Sequence, residues 1–155
     1  MMAREIVLEW PSIDTSVQVE FLEKEEPELC DMLWERLKEP LKMFCRHPVS
    51  TGEEFSAEAR PPRHPVKTGE NVGRHRRMFC EISPGSINYS VVGGYGGLSC
   101  YYGPCSEPIT VKGAVVAKVA QENMPYLVKA GRAVWEAYYT KHEPIIMVAR
   151  RRDLL

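Results

Sequence analysis

Runs of strand length with a period of two recur along the 155-residue chain, and each is closed by a turn. Ile6, Leu8 and Trp10 alternate with Val7 and Glu9. After the turn sequence PSIDT (11–15), Val17, Val19 and Phe21 alternate with Gln18 and Glu20, which predicts an opening hairpin. Residues 42–48 and 53–59 read as two more strands around Ser50 and Gly52. Strands are also predicted at Met78–Ile82, Ile87–Val92, Leu98–Tyr102, Ala114–Val119 and Ile145–Ala149.

Helical spacing occurs twice. Pro27 stands at a helix start, Leu29, Met32, Leu33 and Leu37 share a face, and Pro40 ends it. The acids from Glu20 to Glu28 read as its solvated rim. Asn123 and Pro125 open the second helix, whose stripe is Leu127, Ala130, Val134 and Tyr138. Eight or nine strands with two separated helices, and no βαβ alternation, predict a mainly β (α+β) fold. An antiparallel or mixed barrel fits best, since closure removes exposed edges. The length suits one domain over 1–155, with a basic loop at 60–77.

Composition narrows function. A net charge of −1 makes the molecule no trap for nucleic acid or anionic membrane. The start MMAREIVLEW lacks the apolar stretch of a signal peptide, so a cytoplasmic location is expected. Five scattered cysteines and four dispersed histidines carry no metal-ligand spacing, so neither metal nor other cofactor is expected.

The stretch GGYGGLSCYYGPCSEP (93–108) raises the question of a phosphate loop. Such a loop would open a helix, whereas here a strand-like run follows, so the glycines read as a hairpin connection. Tyr95 would ride on it at the barrel mouth, able to close over a ligand. By parity Leu98, Cys100 and Tyr102 face the core, and Tyr101 faces the other way with Ser99. Glu107 follows on a loop at the mouth.

Residues 60–77 hold Arg60, Arg63, Lys67, Arg74, Arg76 and Arg77 against the single acid Glu70. A solvated loop, an RNA contact and capture of a small carboxylate substrate all suit such a run. The interleaved aromatics of an RNA-stacking surface are missing, which favours the carboxylate. Glu70, held ionised by its neighbours, suits a base; His64 and His75 bracket the loop and are acid–base candidates by residue type.

Three stretches, GEEFSAEARPP (52–62), EISPGSINYSVVG (81–93) and LSCYYGPCSEP (98–108), resemble segments of small bacterial cyclophilin-like barrels. Gly85, Ile87 and Tyr89 match the middle pattern, where Ser86 replaces an acid and Ser90 a tryptophan. Leu98, Cys100, Tyr101, Tyr102, Gly103 and Pro104 carry the last. The resemblance implies a closed cyclophilin-like barrel with two helices. Within that group the chain is similar to the barrel domain of cucumopine and mikimopine synthases, which are longer. These opine synthases join histidine to 2-oxoglutarate in a Pictet–Spengler ring closure.

The activity so implied is a cofactor-independent condensation of an amino acid with a 2-oxo acid. Arg60, Arg63, Arg74 and Arg77 would hold carboxylates and Tyr95 would cover them. Glu70, His75 or Glu107 would move protons, and Tyr101 or Tyr102 would orient the reacting group. The expected partner is a small carboxylate-bearing substrate, with neither nucleic acid nor membrane; a homodimer is left open. A non-catalytic metabolite- or peptide-binding module is the alternative. Proline isomerisation fits less well, because the arginine beside a Phe-His motif and the Gly-Thr-Gly loop of true isomerases have no counterpart.

Overall fold

The structure is a computed structural model that describes residues 4–60, 73–91 and 96–154. The strands are β1 (Glu5–Trp10), β2 (Thr15–Phe21), β3 (Leu41–Arg46), β4 (Gly52–Ala59), β5 (Ser86–Ser90), β6 (Gly97–Cys105), β7 (Ala114–Val119) and β8 (Ile145–Arg151). They close into a barrel in the order β1-β2-β7-β5-β6-β4-β3-β8, with every neighbouring pair antiparallel. The predicted opening hairpin is present, with Leu8 opposite Val17 and Trp10 opposite Thr15.

Alternation sets the barrel wall. Ile6, Leu8 and Trp10 of β1, Phe55 and Ala57 of β4, Ile87 of β5 and Cys100 of β6 are all fully buried in one core. The Trp10 and Phe55 rings meet edge to face with centroids 6.0 Å apart. Each large apolar side chain among them contributes roughly 1.5–3 kcal/mol by leaving water. Because the core claims these positions, the intervening residues of β3, β4, β5 and β6 are left on the outer face.

Helix α1 (Pro27–Arg36) begins at the predicted proline and buries Leu29, Cys30 and Leu33 in the same core. Met32, expected on that face, is instead 41% exposed. Helix α2 (Met124–Glu136) buries Leu127, Ala130, Gly131 and Val134 and runs on as a π-helical turn over Ala137–Lys141. That widened turn carries Tyr138 off the predicted stripe, so it is exposed.

Two further expectations are corrected. Met78–Ile82 is no strand: Met78 makes an isolated bridge to Thr110, and Phe79–Glu81 is a 3-10 turn. Glu26 is no solvated rim residue, being 2% exposed. Its carboxylate accepts the backbone N–H of Arg74 at 2.9 Å and that of His75 at 2.8 Å, fastening residues 74–75 to the start of α1. Among the described residues no helix is long and apolar enough to cross a membrane.

Candidate active site

The outer face of β3, β4, β6 and β5 carries a row of polar side chains in register. Arg46 lies opposite Ser56, Ser56 opposite Ser99, and Ser99 opposite Asn88. One step along, Glu54 of β4 lies opposite Tyr101 of β6. An outer barrel face normally meets water. Here it floors a cavity of about 800 Å³.

Three segments wall this cavity. On one side Ile109–Lys112 is fixed by backbone bonds from Phe79 to Ile109 and from Val111 to Arg77, both 2.9 Å. On another side lies the turn His47–Thr51, and Tyr138 and Tyr139 of the π-turn complete the rim. The Tyr139 hydroxyl donates to the carbonyl of His47 at 2.6 Å, which ties the rim to the turn.

Glu54 is the strongest chemical feature. It is 4% exposed, and burial pushes its carboxyl up to about 7, from an ordinary value of 4.5. Bonds from the Thr51 and Ser99 hydroxyls and the charge of Arg46 pull it down, while Glu107 pushes it up. Local backbone sets its position. The β4–β6 register slips between Gly52 and Glu54, and a side chain at Gly52 would stand 2.6 Å from the Cα of Cys105. Only glycine permits that approach, which brings the start of β4 against the end of β6 just ahead of Glu54.

Beside it, Tyr101 is fully buried and its hydroxyl has no hydrogen-bond partner. Its ring packs with Ile82 and Val111, and burial followed by the nearby Glu54 carboxyl raises its pKa far above the usual phenol value. A neutral hydroxyl next to a half-ionised carboxyl can donate to a developing oxyanion or relay a proton.

His47, also on the cavity wall, is buried and strongly oriented. Its Nδ1 lies 2.7 Å from the carbonyl of Pro48, its Nε2 2.7 Å from the Tyr102 hydroxyl, and its ring meets Trp135 edge to face at 4.8 Å. A carbonyl can only accept, so Nδ1 carries the proton and Nε2 accepts from Tyr102. Burial lowers the His47 pKa, which favours this neutral form.

The sequence candidates divide between two places. Tyr101 lies on the cavity floor. Glu107 is near its edge and accepts from Ser50 at 3.2 Å. Tyr102 faces the core, as parity required, and reaches the site only through His47. His75 and Arg77 instead line a separate cavity of about 260 Å³ with Lys118, Ser83 and Ser86. His75 Nδ1 contacts Glu26 at 3.2 Å, and Arg74 pairs with Glu28 at 3.3 Å. The packed side chains of Ile82, Tyr101 and Val111 stand between the two cavities. Arg60 is exposed just past the end of β4, while Arg63, His64, Glu70 and Tyr95 lie outside the described residues.

Glu54, His47, Asn88 and Arg46 went unread as site residues. Glu54 and Arg46 look like ordinary solvent-facing charges on alternating strands. Asn88 gave a signal, since Asn is depleted inside strands. Among the described residues no group of three His, Cys, Asp or Glu is arranged to hold a metal. Burial pushes Cys30 and Cys45 up to about 12 and Cys105 up to about 11, with Cys100 raised too, whereas Cys80 is exposed. Brief iodoacetamide treatment at pH 8 is therefore expected to add one label, at Cys80, by peptide mass mapping. A first label at any of the other four cysteines would contradict this.

The fold and site together define a closed antiparallel barrel with a buried carboxyl in a cavity on its outer wall. The chain is similar to McbB, whose structure was solved in complex with tryptophan, with a TM-score of 0.80 and 25% identity. The match covers 95% of this chain and 44% of McbB, so this chain spans less than half of that protein's length. It shares its fold with the hypothetical protein AF2241 from Archaeoglobus fulgidus, known from a solution structure, at a TM-score of 0.53 and 13% identity. That match covers 97% of this chain and 95% of the other. No protein family model and no curated protein matches the sequence.

Proposed function

We propose that this barrel is a small-molecule enzyme that condenses an aromatic amino acid or related amine with a 2-oxo acid, using Glu54 to move protons. The single observation that carries the reading is the buried Glu54 carboxyl, poised near 7 beside the unpartnered Tyr101 hydroxyl in an open cavity. A group titrating near neutrality serves as acid in one step and base in the next. The likeness to McbB, solved with tryptophan, supports an aromatic amino acid as one partner. The resemblance to opine synthases supports a 2-oxo acid as the other.

The chemistry needs only proton transfers. The substrate nitrogen adds to the ketone carbon to give a carbinolamine. Glu54 protonates its hydroxyl, which leaves as water, and an iminium ion remains. The aromatic ring carbon attacks the iminium carbon, and the ionised Glu54 removes the ring proton to restore aromaticity. Glu54 ends as it began, and one water is released. Tyr101 would hold the departing oxygen. The described cations on the cavity wall are Arg46 and Lys112, so they, rather than Arg74 and Arg77, would take the substrate carboxylates.

The test incubates the protein with tryptophan or histidine and 2-oxoglutarate and follows products by mass spectrometry. A product one water lighter than its reactants is expected, formed stereoselectively. The Glu54→Gln variant should form it roughly 10²–10⁴-fold more slowly. The pH dependence of kcat/KM should inflect near 7 through Glu54, and only in the wild type. No product with either amino acid, and no saturable binding of either, would sink the proposal.

A further inference from the structure

Asn88 occupies an unusual place for its chemistry. It sits inside β5 between the buried side chains of Ile87 and Tyr89, and is itself 3% exposed. Its amide Nδ2 donates to the carbonyl of Lys112 at 2.9 Å. That bond fixes which way round the amide stands, and Oδ1 is left buried with no partner. A buried acceptor without a donor is unfavourable and uncommon in native proteins. Asn88 lines the same cavity as Glu54 and Tyr101, at the end of the row that runs through Ser99 and Ser56.

The missing donor can come from a molecule in the cavity. Glu54 lies on β4 and Asn88 on β5, with β6 between them. The two strands are therefore about 10 Å apart, and side chains reaching over β6 leave a gap the length of one amino acid. A substrate whose amine reacts beside Glu54 would extend its ring toward Asn88.

We propose that Asn88 Oδ1 accepts a hydrogen bond from a ring N–H of the substrate. It thereby selects an indole or imidazole side chain over a ring lacking that donor. The inference rests on the aromatic amino acid reading above and adds the residue that chooses among aromatic side chains. A site built to accept an N–H discriminates strongly, because an isostere without the hydrogen leaves the acceptor unpaired.

Isothermal titration provides the test, with ligand pairs that differ only at that atom. Tryptophan is compared with 3-benzothienylalanine, in which sulfur replaces the indole N–H, and histidine with 4-thiazolylalanine, in which sulfur replaces the imidazole N–H. The wild type should prefer the N–H member of a pair by at least about tenfold. The Asn88→Ala variant should bind both members alike. Asn88→Asp keeps an acceptor while losing the bond to Lys112, so it should retain the preference. It thus separates ligand reading from support of the 109–112 wall. Equal affinities in the wild type, or a preference that survives in Asn88→Ala, would overturn the inference and leave the wider reading standing. Failure to bind any of the four ligands would overturn both.

Discussion

Replacing Glu54 by glutamine is expected to stabilise the protein at pH 8 while removing the group proposed to transfer protons. The carboxyl titrates at about 7 in the folded state, against 4.5 for an ordinary glutamate, and burial is the main cause. A carboxyl with a raised folded value holds its proton more tightly in the native than in the unfolded chain. Between roughly pH 4.5 and 7 the native state therefore binds more protons, and stability falls as pH rises through that window. At pH 8 the full penalty is present, on the order of 3 kcal/mol from the size of the shift. Glutamine stays neutral throughout and can still accept from Thr51 and Ser99. Urea midpoints of the two proteins should coincide near pH 4 and separate by pH 8, with the variant more stable by about 2–3 kcal/mol. Other titrating groups are common to both proteins and cancel in the difference. Parallel pH curves would mean that Glu54 ionises freely, and would remove the physical basis for its role. A stabilising loss of function is the pattern of a site kept strained for chemistry.

Most of the barrel was legible because alternation is a direct physical record of which face meets the core. The hairpin of β1 and β2 and the opposite facing of Tyr101 and Tyr102 follow from it, while the proline starts of both helices follow from the fit of proline to a first helical turn. The misreadings at the cavity share one cause. Period two says which residues leave the core but not whether something else covers them. Glu54 and Asn88 are non-core by parity yet buried, because the segment 109–112 and the turn 47–51 close over that wall. Neither segment has a periodicity that would announce its path. Glu26 lies on no strand, just ahead of α1, and is hidden by residues 74–75 from far along the chain. Met78–Ile82 looked like a strand because its apolar residues pack on Tyr101 and Val111, which a 3-10 turn achieves equally well. The basic loop drew attention through composition, and charge alone does not say which wall of a barrel a side chain will reach.

Gly131→Ala tests how α2 supports this site. In an exposed helix interior the change would stabilise by about 1 kcal/mol, since glycine is a poor helix former. At this position the new Cβ would stand 2.2 Å from Cδ1 and 2.4 Å from Cε1 of Tyr102. The ring has little freedom to withdraw. Its hydroxyl is bonded to His47 at 2.7 Å, and its face lies against Phe55 with centroids 6.2 Å apart. Overpacking of this kind costs roughly 1–3 kcal/mol and occasionally more, so it outweighs the helix gain. The expected result is a net loss of about 1–2 kcal/mol, or a fall in Tm of about 2–8 °C for a chain of this size. Helix propensity and collision are separated by repeating the change in a Tyr102→Ala background. With the ring gone, Gly131→Ala should become neutral or stabilising, giving a coupling of about 1–3 kcal/mol. An equal cost in both backgrounds would mean that the ring is not what glycine accommodates. The same displacement should be felt at the candidate site, because Tyr102 holds His47, and the turn that His47 begins carries Thr51 to Glu54. Gly131→Ala is accordingly expected to shift the pH inflection of any turnover although it touches no cavity residue. A merely loosened helix would lower Tm and leave that inflection in place.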